Sequence, residues 1–566
     1  MKTVIIGGVA GGATAAARLR RLDEKAQIVI YEKSGYISYA NCGLPYYIGN
    51  VITKKDNLTL QTPDSFRRRF NVDVKVRHEV TAIDAASRTV TVSNLDTGES
   101  FTDGYDKLII ATGAKPLLTD LVPDGCGKTF TLRNVEDTER IHRFINDFSP
   151  KSAVVVGGGY VGLEMAENLK NLGMEITVIE YAPHLLSPFD GDMAAFVHGY
   201  LRGKGIRLML GCEMTGIECP GEYVNVILKD GSAVSADMVI LSAGVSPDTS
   251  LVKAAQAGGI QLGVKDSIAV NEHMQTSNED IYAVGDAVEV THLVCGKKTL
   301  VSLAGPANKQ ARIAADNICG IESAYKGALG SSVLKLFGMT AASTGINERT
   351  AKACGIDCES IILSPLSHAS YYPDAKVMTM KVIFEKDTMR LLGAQIVGSE
   401  GVDKRIDILA TAMQCGMSGD RLGSLELSYA PPFSSAKDPV NIAGYMMENI
   451  ARGLVKQFHY EDVIRLQKDE NVFLLDTRTP DEYSRGHADG FINIPVDALR
   501  AHIDEIPHDK PVYVMCQSGL RSYIACRILA SHGIDCYNFA GGYRFYNTVK
   551  TELGASASAA PCGKET

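Results

Sequence analysis

Two segments far apart in the chain follow the same pattern. The first, TVIIGGVAGGATAAARLRRL, is a β-branched apolar run, a glycine-rich turn and an alanine-rich helical stretch, followed by a second run, QIVIYEK. The other, SAVVVGGGYVGLEMAENLKNLG, repeats the pattern and leads into EITVIEY. A buried strand that passes through glycines into a helix and on to a second strand closes as a right-handed βαβ unit. Two such units predict two Rossmann-like parallel sheets. The chain has 566 residues, too many for one hydrophobic core, so an α/β fold of several domains is expected.

In such units the glycines let the backbone approach a pyrophosphate at a helix N-terminus, and an acid ending the second strand holds a ribose hydroxyl. Gly7, Gly12 and Glu32 fill these positions in the first unit. Its middle glycine is replaced by Val9, so on this segment alone a tight turn with no ligand stays open. The second unit is complete, with Gly157, Gly159, Gly162 and Glu180. An acid at Glu180 repels a 2′-phosphate and no arginine stands beside it, so NADH is expected, with NADPH as the alternative.

The formal net charge of −9 and a pI near 5.8 argue against nucleic acid or an anionic membrane as the main partner. No apolar run is long enough to span a bilayer. The N-terminus has only Val4–Ile6 as an apolar core before its glycines, so it is read as a strand, not a signal peptide. A cytoplasmic location, where thiols stay reduced, is therefore expected. The thirteen cysteines are scattered without a C-x-x-C pair, which predicts neither a metal site nor a disulfide framework. Cys354 and Cys358 are read as structural thiols.

YDKLIIATGAKP (105–116) and SNEDIYAVGDAVE (277–289) complete an ordered set. The set resembles the two-dinucleotide-domain flavoprotein disulfide reductases. The resemblance implies FAD at the first unit, held by Gly7, Gly12, Glu32, Thr112, Gly113 and Asp286, and NADH at the second. It implies an FAD-binding domain (1–118 and 241–324) interrupted by an NAD(H)-binding domain (119–240). An α+β dimerisation domain (325–445) would follow, and with it a homodimer.

SYANCGLPYY (38–47) holds Cys42 with no second cysteine close by. Alone, Cys42 would be read as a structural thiol. Its place after Glu32 resembles the single-cysteine branch of the family, comprising coenzyme A-disulfide reductases, NADH oxidases and NADH peroxidases. There one cysteine faces the flavin as a mixed disulfide or sulfenic acid, chemistry that needs a reactive thiolate. The oxidases and peroxidases typically carry a histidine on the first helix. Here the helix offers Arg18, Arg20 and Arg21 instead, which suits a polyanion such as coenzyme A. The resemblance to coenzyme A-disulfide reductases implies Thr14, Arg18, Arg21, Ser38, Asn41, Lys75 and Lys437 as substrate contacts. It also implies Tyr371 and Tyr429 as tyrosines reaching the cysteine site of the other subunit, where a hydroxyl could protonate a leaving thiolate. For Tyr371, simple packing at the dimer seam is the competing reading.

After residues 446–458, read as a linker, the pattern restarts. PVYVMCQSGLRSYIACRILASHG places Cys516 at a strand end, before the loop residues Gln517, Ser518, Gly519, Leu520 and Arg521 and a helix. Loop N–H groups and the helix dipole favour an anion there. With LLDTRTPDEYSRGHADGFINIP and GGYRFYN, residues 459–552 resemble a single-domain rhodanese of the sulfurtransferase type, with a persulfide on Cys516. The small, polar tail 553–566 is expected to be disordered.

As a whole the chain resembles coenzyme A-disulfide reductase–rhodanese fusions. This implies NADH-dependent reduction of a coenzyme A disulfide, persulfide or polysulfide through Cys42, with Cys516 carrying sulfane sulfur to or from the Cys42 site, and small-molecule thiol or persulfide substrates and a sulfur donor protein as partners. The alternatives are an NADH oxidase or peroxidase with a Cys42 sulfenic acid, and a sulfur-relay or redox-sensor protein.

Overall fold

A computed structural model describes residues 1–254 and 259–559, with side chains described through residue 554. One compact unit comprises residues 1–182 and 205–330. Its first sheet centres on Lys2–Ile6, flanked by Gln27–Glu32 and Asp73–Val76 on one side and by Lys107–Ile110 and Ile281–Ala283 on the other, all parallel. The second sheet repeats the plan around Ser152–Val156, with Glu175–Glu180 and Ile206–Leu210 on one side and Met238–Leu241 and Thr129–Thr131 on the other. Parallel strands are buried on both faces, which is why VVV and LII run without polar alternation. Each plan also carries a three-stranded antiparallel meander, over 78–104 and 214–236.

A disulfide joins Cys126 to Cys219, contrary to the expectation of free thiols throughout. It ties the peptide entering strand Thr129–Thr131 to the end of strand Met214–Glu218, two positions 93 residues apart in sequence. Sequence spacing could not show it, because the fold brings the two loops together.

The other unit comprises residues 183–204 and 331 onward. It holds a five-stranded antiparallel sheet ordered 332–336, 339–345, 391–398, 379–385, 358–363, covered by helices Val402–Gln414 and Pro439–Ala451. A second five-stranded sheet, all parallel, is ordered 457–458, 536–539, 512–515, 473–476, 492–493.

Residues 183–204, expected within the NAD domain, group with this unit for a physical reason. Lys381, 2 % exposed, lies 3.2 Å from Asp190, 2.8 Å from Asp192 and 3.1 Å from Glu348. A buried ammonium needs such partners. On the same segment Phe196 meets Phe545 and Arg202 pairs with Glu552 at 3.1 Å.

The stretch read as a linker is structured. Helix Pro439–Ala451 runs into it, Leu454 accepts from Arg527, and Gln457–Phe458 already pairs with Cys536–Phe539. His459 then meets Glu359 at 2.6 Å. The tail expectation also changes. Helix Gly542–Ala559 continues through 553–559, while 560–566 lie outside the described residues. No described helix is long and apolar enough to cross a membrane.

Candidate active site

The first βαβ unit opens onto a cavity of about 810 Å³ lined by Gly7, Glu32, Thr112, Gly113, Arg133 and Asp286 among others. Its shape depends on glycine. Gly7 has φ +98° and a Cβ there would sit 2.3 Å from Ala111 O, while a Cβ on Gly12 would sit 1.8 Å from Gly7 O. Only bare backbone permits this approach of turn, helix and neighbouring strand. Val9 is tolerated because its φ of −102° suits any residue and its side chain packs with Tyr39, Leu44, Leu58 and Val135. Glu32 accepts from Gly8 N–H at 2.7 Å and Ser34 N–H at 2.8 Å, and burial pushes its carboxyl up. Thr112 donates to Asp248 O at 2.7 Å. Asp286 accepts from Arg133 at 3.0 Å, a partner that the sequence reading missed because it lies on the far side of the domain crossover. Size, glycine cradle and acid fit FAD.

The NADH unit copies this geometry. Glu180 accepts from Gly158 N–H at 2.6 Å and Ala182 N–H at 2.7 Å. A Cβ on Gly157 would meet Ser242 O at 2.3 Å and one on Gly162 would meet Gly157 O at 2.0 Å, whereas one on Gly159 would meet open space.

Cys42 lies in a single turn, Asn41–Gly43, just before the short helix Leu44–Ile48. Asn41 lines the large cavity. Ser38, at φ +45°, links Gly8 O to Leu60 N–H by backbone bonds. Cys42 reaches solvent and is free, yet desolvation of its sulfur, then the carboxylates of Glu164 and Asp286, push its thiol up. The low-pKa thiolate expected from sequence is therefore not supplied by the surrounding side chains. Tyr46, one helical turn on, donates to Glu164 at 3.1 Å. Burial raises Glu164 to about 7. Both residues went unread, although Tyr46 lies in the Cys42 motif and Glu164 follows Gly162 on its helix.

The basic helix is less free than it looks in sequence. Arg20 is buried and donates to the carbonyls of Asp23, Glu24, Phe70 and Asn71, so it closes two helix C-termini. Arg18 pairs with Asp316 at 2.7 Å and Thr14 donates to Asn308 at 2.5 Å, both on helix Ala304–Ile318. Arg21 is exposed, and Lys75 lies 3.7 Å from Asp73.

In the second unit the two named tyrosines do meet. Tyr371 and Tyr429 share a hydroxyl–hydroxyl hydrogen bond of 2.6 Å, and both are exposed. Their loops are pinned by Arg405, 1 % exposed, which donates to Ser367 O, Ser434 Oγ and Asp438 at 3.0–3.2 Å. Lys437 is exposed on the same loop.

Cys516 is fully buried at the end of Val512–Met515. Gly519 N–H donates to its Sγ at 3.1 Å, and the Ser522 hydroxyl lies 3.2 Å from Sγ. The helix Leu520–Ser531 begins there. Ser522 has a second acceptor, Gly519 O at 3.2 Å, and its single proton goes to the sulfur when that carries charge. The GGYR stretch closes the loop from behind. Tyr543 N–H donates to Cys516 O at 2.7 Å and Arg544 N–H to Gln517 O at 3.2 Å. A Cβ on Gly542 would sit 2.5 Å from Ser518 N. Ser522 was missed, one residue beyond the loop as delimited. Cys354 and Cys358 remain free thiols.

Comparison with known proteins identifies the family. The family described as pyridine nucleotide-disulphide oxidoreductase matches residues 1–311, its dimerisation domain 332–439, and the rhodanese-like domain 459–547. Coenzyme A disulfide reductase of Staphylococcus haemolyticus is 36% identical over 450 residues, 79% of this chain and 100% of its own. Reduced CoADR-RHD of Bacillus anthracis superposes with a TM-score of 0.93 at 45% identity, over 97% of this chain and 98% of that one. The NAD-dependent persulfide reductase of A. fulgidus gives 0.89 at 38% identity, over 96% and 100%. The chain therefore belongs to the pyridine nucleotide-disulphide oxidoreductases and carries a rhodanese-like domain after the dimerisation domain.

Proposed function

We propose that this protein is an NADH-dependent flavoenzyme that reduces coenzyme A disulfide or persulfide, with Cys516 as a sulfur carrier. The observation that carries the reading is a lone, free, solvent-reaching Cys42 beside an FAD-sized cavity, in a chain similar to both a coenzyme A disulfide reductase and a persulfide reductase. FAD bound in the cavity supplies acceptance of two electrons from NADH and their delivery to sulfur.

The chain's own residues do the rest. Glu32 and Glu180 meet ribose hydroxyls of the two dinucleotides, and Glu180 disfavours a 2′-phosphate. Cys42 thiolate attacks a coenzyme A disulfide, forms a mixed disulfide and releases one thiol. Two electrons then free Cys42 and the second thiol. The sum is NADH, H⁺ and one disulfide giving NAD⁺ and two thiols. With a persulfide, the products are one thiol and hydrogen sulfide. In a homodimer the Tyr371–Tyr429 pair provides a proton for the departing thiolate. Exposed Arg21 meets the coenzyme A phosphates, together with Thr14, Arg18, Ser38, Asn41 and Lys75, and in a homodimer exposed Lys437 adds a contact to the site of the other subunit.

The test is anaerobic NADH oxidation against coenzyme A disulfide, coenzyme A persulfide and polysulfide, for the wild type and Cys42→Ser. The variant should keep its flavin and lose turnover by about a thousand-fold or more, the scale on which removal of a covalent nucleophile is felt. Near wild-type turnover would remove Cys42 from the reaction.

A further inference from the structure

The rhodanese loop has one cation of its own, and the fold has cancelled it. Arg521 donates through both terminal nitrogens to the two oxygens of Glu482, each at 2.7 Å. Glu482 is fixed in turn by Thr479, whose N–H and hydroxyl donate at 2.9 and 3.1 Å. These bonds, that from Arg521 foremost, hold the Glu482 carboxyl at about 2, so it stays anionic across the working range. Arg478, the second arginine beneath the loop, is buried on Asp476 and stacked on Tyr543. The loop rim is apolar instead, with Leu520 and Ile524 exposed. Arg544 is half-buried and has no carboxylate partner among the described residues, and its backbone N–H reaches Gln517 O at 3.2 Å.

We propose that the Glu482–Arg521 pair is a donor filter, which makes Cys516 accept sulfur from organic persulfides and not from thiosulfate. The inference rests on Cys516 being a sulfur carrier. Attack of Cys516 thiolate on the outer sulfur of thiosulfate breaks the S–S bond, leaves a Cys516 persulfide and expels sulfite, with three negative charges on each side. Sulfite departs as a dianion beside the loop, where the loop N–H groups and the helix end favour an anion but a dianion gains most from a free side-chain cation. Glu482 occupies the one that the loop offers. Attack on an organic persulfide breaks its S–S bond, moves the outer sulfur to Cys516 and expels a thiolate, with a single negative charge on each side. Leu520 and Ile524 suit the apolar body of such a carrier.

The experiment charges Cys516 in the full-length holoenzyme with coenzyme A persulfide or with thiosulfate. It reads the added sulfur by protein mass, with Cys516→Ser as the blank. Wild type should charge about a hundred-fold faster from coenzyme A persulfide than from thiosulfate, the scale set by one charged hydrogen-bonding group. Glu482→Gln keeps the side-chain type that caps this helix. It should raise charging from thiosulfate about ten-fold or more while leaving the organic donor within about two-fold. Comparable wild-type rates from the two donors would overturn the filter, as would an unchanged donor ratio in a folded Glu482→Gln protein. If that variant does not fold, the wild-type ratio decides alone. Charging from neither donor would instead remove the sulfur-carrier reading, and the filter with it.

Discussion

The two sulfur centres sit at similar junctions, each just before a helix, yet they are built in opposite ways. Cys516 is wholly enclosed, and the two hydrogen bonds to its sulfur come from the next few residues: Gly519 N–H and the Ser522 hydroxyl. Cys42 is exposed, and its nearest charges are carboxylates that oppose a thiolate. Cys516 has donors built for an anionic sulfur before any ligand arrives. The protein alone holds Cys42 towards the thiol, and its activation must come from what binds beside it. On the proposed function, a centre that only parks sulfur is finished locally, and one that exchanges electrons with a dinucleotide and a substrate is left open on the sides they occupy.

The largest effect that would break this contrast is expected at Arg405. Its pair with Asp438 is almost wholly buried, at 1 % and 2 % exposure of the side chains. Removing one partner from a buried pair typically costs about 3–5 kcal/mol, and Asp438 would keep only Lys404 at 3.6 Å, the Ser434 hydroxyl and Val440 N–H. Arg405→Ala should lower the thermal unfolding midpoint and release the loops of Tyr371 and Tyr429. Below that midpoint, NADH-driven reduction at Cys42 should fall while charging of Cys516 persists. Equal loss of both would mean that the two centres are not independently assembled.

At Cys516 the expected effect is smaller. Ser522→Ala deletes one of two donors to the sulfur. A hydrogen bond to a charged acceptor contributes about 1.5–3 kcal/mol, so charging of Cys516 should slow by about ten-fold or more. Cys42-dependent reduction of coenzyme A disulfide should not change. An unaltered charging rate would show that Gly519 N–H and the helix end suffice.

The local nature of Cys516 is also why it was legible. Strand, six-residue loop and helix are contiguous in CQSGLR and its flanks, so its cradle could be read from order alone. The glycine turns of Gly7–Gly12 and Gly157–Gly162 were legible for the same reason. What was not legible depends on long-range closure. The Cys126–Cys219 disulfide, the Arg133–Asp286 pair and the association of residues 183–204 with Lys381 join residues 93 or more positions apart. The arginines of the first helix looked equivalent in sequence. Packing separated them into a buried carbonyl clamp at Arg20, an ion pair at Arg18 and an exposed charge at Arg21.

The smallest expected effect sharpens the contrast from the Cys42 side. Glu164 is raised to about 7, first by burial and further by Glu167, against the opposing hydrogen bond from Tyr46. Its unfolded value is near the ordinary 4.5, so between those two pH values the folded protein binds the extra proton. Stability should therefore fall as pH rises from about 4.5 to about 7, and Glu164→Gln should lack that slope. The same ionisation acts on Cys42, because a carboxylate that appears as pH passes 7 repels a thiolate nearby. In the reduced holoenzyme, alkylation of Cys42 by iodoacetamide should match between wild type and Glu164→Gln at pH 6. The variant should be faster above pH 7, with the alkylated Cys42 peptide resolved by mass from exposed Cys415 and the other free cysteines. Tyr46→Phe removes the bond that favours the charged carboxylate, so it should move the wild-type break to higher pH without abolishing it. Identical profiles for all three proteins would mean that Cys42 does not sense Glu164, leaving desolvation and the Asp286 carboxylate to hold its thiol up.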